Sequence, residues 1–107
     1  MIKHIVLFKL TSNNSENIER AISALRGMEE KIESLQSLEI GVNFIKSERS
    51  YDIALIAVFK DKEGLEFYAN HPAHIPIKEL MFSICSSSAV VDYESFEKKT
   101  IRGKKRK

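Results

Sequence analysis

Residues 2–10 alternate, with His4, Val6, Phe8 and Leu10 facing one way and Lys3, Ile5, Leu7 and Lys9 the other. A period of two with β-branched residues predicts a strand, and apolar side chains on both faces predict that both are covered. The period then changes. Ile18, Ala21, Ile22, Leu25, Met28, Ile32 and Leu35 recur at steps of three and four, the stripe of a helix from about Ser15 to Ser34. Asn13 and Glu16 are spaced as a capping box before it, and Gly27 weakens this helix without ending it. Leu38, Ile40, Val42 and Phe44 alternate again, and "YDIALIAVF" reads as a third strand, apolar on both faces. Asp61 caps a second helix carrying Leu65, Tyr68 and Ala69 on one side. "HPAHIP" interrupts it, Ile77, Leu80, Met81 and Ile84 resume the helical spacing, and "SSSAVVDYESF" is the last strand.

The order is β-α-β-β-α-β. It predicts an α+β, ferredoxin-like fold: a four-stranded antiparallel sheet with both helices on one face. Ile5, Leu7, Ala54, Ile56 and Val58 are then left on the helix-free face. An apolar sheet face of that size calls for a partner, and a second copy is the simplest one. A homodimer through this face is the expectation.

With 107 residues, the chain suits one domain, residues 1–96, followed by a basic tail, 97–107. The net charge of +2 is unevenly spread: "KKTIRGKKRK" carries seven of the 17 basic residues and no acid, so residues 1–97 are acidic by five charges. Such a tail can touch phosphates, but it lacks the interleaved aromatics that bases stack on, so nucleic acid is not the expected partner. The absence of an apolar run near 20 residues predicts no membrane span. A single cysteine, Cys85, agrees with a reducing cytoplasmic location. Without cationic neighbours in "SICSSS", it reads as a buried, inert thiol.

"IKHIVLFKL" at the start, "HPAH" after the second helix and "VVDYE" at the end together resemble the stress-responsive A/B barrel (Dabb) family over residues 1–94. The resemblance implies a dimeric α+β barrel, two ferredoxin-like protomers joined sheet to sheet. Many members of the family have no assigned activity. Its plant members include stress-associated proteins and one enzyme, olivetolic acid cyclase, which closes a linear polyketide by an aldol condensation without a cofactor. The resemblance to that cyclase is partial: its tyrosine and histidine match Tyr68 and His74, its first-strand histidine matches His4, and a further histidine is replaced by Ile53.

His4, on the face of Val6 and Phe8, points between sheet and helices if that face is the covered one. Tyr68 and His74 flank the Pro72 corner and can converge with it on one mostly apolar pocket. His71, Phe8, Ile53, Leu55 and Phe59 are the candidate substrate-contacting residues. A neutral histidine takes a proton near neutral pH, and a tyrosine hydroxyl stabilises an enolate oxygen. This assigns His74 as base, Tyr68 as oxyanion donor and His4 as an orienting group. The expected activity is that of a cofactor-free cyclase, lyase or isomerase on a small carbonyl (polyketide-like) compound. The alternative is a non-catalytic, stress-associated barrel that binds ligands or partners, in which His74 satisfies backbone groups at the corner and His4 and Tyr68 are packing residues. His71, His74 and His4 also number enough for a zinc site, but Pro72 breaks the register that would align the first two, and no metal is expected. An axial haem ligand at His74 or His71 has nothing in its favour over an empty apolar pocket. Pro76 cannot donate to a helix, so the resumed helix should start late enough to hold it in the first turn, which bears on where His74 points.

Overall fold

The computed structural model describes residues 1–96; the basic tail expected at 97–107 lies outside them. Strand β1 (Ile2–Leu10) is followed by helix α1 (Ser15–Arg26), strands β2 (Leu35–Val42) and β3 (Ile53–Phe59), helices α2 (Lys62–Ala69) and α3 (Ile75–Ile84), and strand β4 (Cys85–Glu94). The sheet is antiparallel throughout in the order β2-β3-β1-β4, the ferredoxin-like arrangement. His4 is opposite Ala57 on one side and Asp92 on the other; Val6 is likewise flanked by Leu55 and Val90, and Phe8 by Ile53 and Ser88.

The side-chain period of a strand sends this set to one face. There Ile53, Leu55, Ala57 and Phe59 are buried against Ala21, Leu25, Met28, Ile32, Tyr68, Met81 and Ile84. The opposite face carries Ile5, Leu7, Ala54, Ile56 and Val58, half-buried between neighbouring strands, together with the exposed Val91. Among the described residues no helix is long and apolar enough to cross a membrane.

Four details differ from the sequence pattern. First, α1 is capped by Asn14, whose side chain accepts from Asn17 N at 2.9 Å, while Asn13 Nδ2 donates to Asp52 Oδ1 at 2.8 Å. Glu16 therefore misses the third helical position that a capping box requires. Second, Gly27 ends α1. Its N–H is shared between Ser23 O and Ala24 O, and the chain continues in turns to Ser34. Those turns still bury Met28 and Ile32, which prolongs the helical spacing past the helix itself. Third, β2 stops at Val42, where Asn43 N bonds to Asp52 O, and a bulge lies between Leu35 and Ser37. Leu38 and Ile40 pack on the core, but Phe44 lies beyond the strand and is 87% exposed. Fourth, the second helix is two helices. Asp61 caps α2 through Gly64 N at 2.9 Å, but α2 ends at Ala69, two residues before His71. α3 then begins after His74 with Pro76 in its first turn, where a missing N–H breaks no helical bond.

Candidate functional site

The corner at residues 70–74 is built by its own side chains. His71 Nδ1 accepts from Ala73 N at 3.0 Å, which puts the ring proton on Nε2, facing Glu33 Oε1 at 3.7 Å. The His71 ring also meets Phe67 edge-on at 5.3 Å between centroids. With His71 braced this way, His74 becomes the last residue before α3 and turns to the other side.

There a cavity of about 360 Å³ opens between α3, the end of α2 and the β1–β4 half of the sheet. That size suits a small ligand. His4, Val6 and Phe8 of β1, Leu55 of β3 and Tyr68 of α2 form its floor; His74, Ile77, Lys78, Met81 and Phe82 form one wall, and Cys85, Ser86, Ser87, Ser88 and Val90 the other. His4, Tyr68 and His74 therefore share one cavity with Phe8 and Leu55. Three residues expected beside them do not line it. Ile53 and Phe59 face the same side of the sheet but are sealed in the core, at 1% and 0% exposure. Phe59 instead backs the Tyr68 ring, 5.0 Å away between centroids. His71 faces a shallow groove with Glu63, Glu66 and Phe67 on the far side of the corner.

The Tyr68 ring is the hub. It meets His4 edge-on at 5.6 Å and lies 4.4 Å from the His74 ring at a tilt of 35°. Tyr68 is 3% exposed, and burial, with a smaller contribution from the charge of Asp92, pushes its hydroxyl up to about 12. The hydroxyl is a donor throughout the physiological range. Every fully buried side-chain polar atom among the described residues has a hydrogen-bond partner. The Tyr68 hydroxyl has none there, so it is not sealed off and keeps access to the cavity.

His74 Nδ1 lies 3.3 Å from Ala69 O, and since a carbonyl only accepts, Nδ1 carries the proton and Nε2 is left as a free base. Its acidity is set chiefly by burial, which lowers the imidazole below 6.5; the Ala69 bond opposes this, and the charges of Lys78, His4 and His71 add to the lowering. His4 Nδ1 meets Asp92 Oδ1 at 2.5 Å across the β1–β4 pair. That contact fixes the His4 ring and its tautomer. Asp92 is the member of the candidate site that the sequence pattern left unassigned. Its signal was an acid inside the apolar "VVDYE", but its pairing with His4 depends on a long-range register. Cys85 is half-buried at the cavity wall and not enclosed, and burial, then Asp52, raises its thiol. Among the described residues no group of three or more His, Cys, Asp and Glu side chains is arranged to hold a metal ion.

An uncharacterised protein of Streptomyces coelicolor is 34% identical over 77 residues, 69% of this chain and 79% of that one. A Bacteroides fragilis crystal structure, described as a dimeric protein of unknown function with a ferredoxin-like fold, has 30% identity and a TM-score of 0.72, over 88% of this chain and 95% of that one. Hydroxynitrile lyase from Passiflora edulis superposes with a TM-score of 0.80 over 91% of this chain and 94% of its own, at 15% identity, a likeness of fold alone. The stress responsive A/B barrel domain model matches residues 2–95, which hold every strand and helix described above, and the chain belongs to that family, Dabb.

Proposed function

We propose that the cavity is an active site that removes a proton next to a carbonyl group, as a cyclase, lyase or isomerase acting on a small carbonyl compound. The observation that carries this reading is one mostly apolar cavity shared by a free imidazole nitrogen, on His74, and a Tyr68 hydroxyl that has no protein partner among the described residues and stays open to the cavity. His74 Nε2 takes the proton from the carbon; its lowered proton affinity keeps it unprotonated at neutral pH. The electron pair moves onto the carbonyl oxygen, and Tyr68 donates a hydrogen bond to the enolate as it forms. His4, held by Asp92, orients the carbonyl. The proton on His74 then returns to carbon in an isomerisation, or to the new alkoxide in an aldol closure. A positioned base contributes about 10²–10⁴ in rate and a buried oxyanion donor about 10²–10³. The lyase-bearing neighbour of the same fold is consistent with this class of chemistry.

The second reading, a binding barrel without catalysis, draws on the same His74–Ala69 contact, which also satisfies a corner carbonyl. In either reading the homodimer forms through Ile5, Leu7, Ala54, Ile56 and Val58, the face without helices. The test is a thermal-shift screen of β-keto acids, phenolic acids and short polyketide mimics, followed by NMR of α-proton exchange in deuterated water. Binding and exchange in the wild type, with exchange lost in His74→Gln, are the expected results. Exchange that survives His74→Gln removes the base assignment, and ligands that bind without any exchange favour the second reading.

A further inference from the structure

The charges around the cavity are unequal. Among the described residues no carboxylate lines it, and Lys78 is the one permanent cation there. This stands out in a body whose residues 1–97 are acidic by five charges. Lys78 is four residues past His74, and its backbone N–H bonds to His74 O at 2.9 Å, so the two side chains share one face of the first turn of α3. Lys78 forms no ion pair among the described residues. Its charge acts on the cavity all the same, because it is one of the groups that lower His74. The first turn of α3 has no side-chain cap, so the positive end of the helix adds to the same side. At the opposite end, Asp92 holds His4 and opposes negative charge on Tyr68.

The cavity is thus polarised, positive at α3 and negative behind β1 and β4. We infer that Lys78 is an anion subsite, and that the compound taken up is a keto acid whose carboxylate meets Lys78 while its carbonyl lies between Tyr68 and His4. The apolar remainder runs over Phe8, Leu55 and Met81. This rests on the proposed reading of the cavity and names the class of compound within it. A neutral ketone would leave Lys78 idle, and a reversed acid would place its charge toward Asp92.

Calorimetric titration of 4-oxononanoate and its uncharged amide tests this in wild type, Lys78→Met and Lys78→Arg. Lys78 is exposed at the cavity mouth, so both variants retain the core. The acid should bind wild type and Lys78→Arg about three- to fivefold tighter than the amide, the range of an exposed charge pair. That preference should vanish in Lys78→Met while the amide binds as before. Equal binding of acid and amide to wild type overturns the anion subsite and leaves the cavity reading standing. Failure of both ligands to bind wild type overturns the cavity reading, and this inference with it. Stronger displacement by hexyl phosphate than by the acid assigns the subsite to a phosphate group and overturns the keto acid.

Discussion

Tyr68→Phe separates a residue that packs from one that acts. The ring is held between Phe59, 5.0 Å away, and His74, 4.4 Å away, and phenylalanine keeps both contacts. Only the hydroxyl goes. A satisfied buried hydroxyl contributes about 0.5–1.5 kcal/mol, but this one bonds to no protein group among the described residues and is already desolvated enough to raise its pKa to about 12. Its removal should therefore change stability by less than about 0.5 kcal/mol. Tyr68→Ala, which empties the space between those rings, should cost about 3–5 kcal/mol. The exchange rate should move in the other order of importance. Without its oxyanion donor, the Phe variant loses about 10²–10³ in rate while keeping its fold. Urea denaturation gives the first number and α-proton exchange the second. A Phe variant destabilised by more than about 1 kcal/mol has lost a hydrogen bond inside the protein, and the hydroxyl is then structural. Full exchange activity in that variant refutes the oxyanion role outright.

His74 sets the pH dependence. Its folded pKa lies below 6.5, so the unfolded chain binds that proton more readily, and stability falls as pH drops below 6.5. Thermal melts between pH 5 and 8 should show a shallower acid slope in His74→Gln, and the wild-type exchange rate should rise with pH and level off below 6.5. Asn14→Ala should cost about 1 kcal/mol as the loss of a helix cap in urea titrations, and an unchanged midpoint refutes the cap. Ile56→Lys, in the middle of the helix-free face, should yield a folded monomer in sedimentation analysis, and an unchanged dimer moves the interface elsewhere.

The strands were legible because a period of two fixes both their existence and their parity. Placing His4 on the covered face needed only Val6 and Phe8 beside it. The end of α1 was not legible, because Met28 and Ile32 are buried by turns that preserve helical spacing, and one glycine does not distinguish a weakened helix from a finished one. Phe44 misled for a related reason: alternation continues in sequence after the strand has ended in space. The meeting of His4, Tyr68 and His74 at one cavity was legible in their residue types and in the Pro72 corner. The division of labour at that corner was not, since His71 and His74 differ only in which bonds to its own backbone and which follows into α3. Nor was Asp92, whose meeting with His4 requires the β1–β4 register, set beyond a shift between Lys9 and Leu10. Ile53 and Phe59 have the right parity for the cavity and the wrong depth.

Ten of the fifteen residues lining the cavity fall within residues 74–90, one unbroken run through α3 and the start of β4. The proposed base, His74, sits at its first position, and Lys78 and most of the apolar wall follow within it. The floor, drawn from β1, β3 and α2, is tied into the sheet and core. On the proposed reading of the cavity, ligand choice is carried by a cassette. Exchanging this single segment between members of the family should transplant selectivity onto an unaltered frame, and divergence in what these barrels recognise can proceed here without renegotiating the fold.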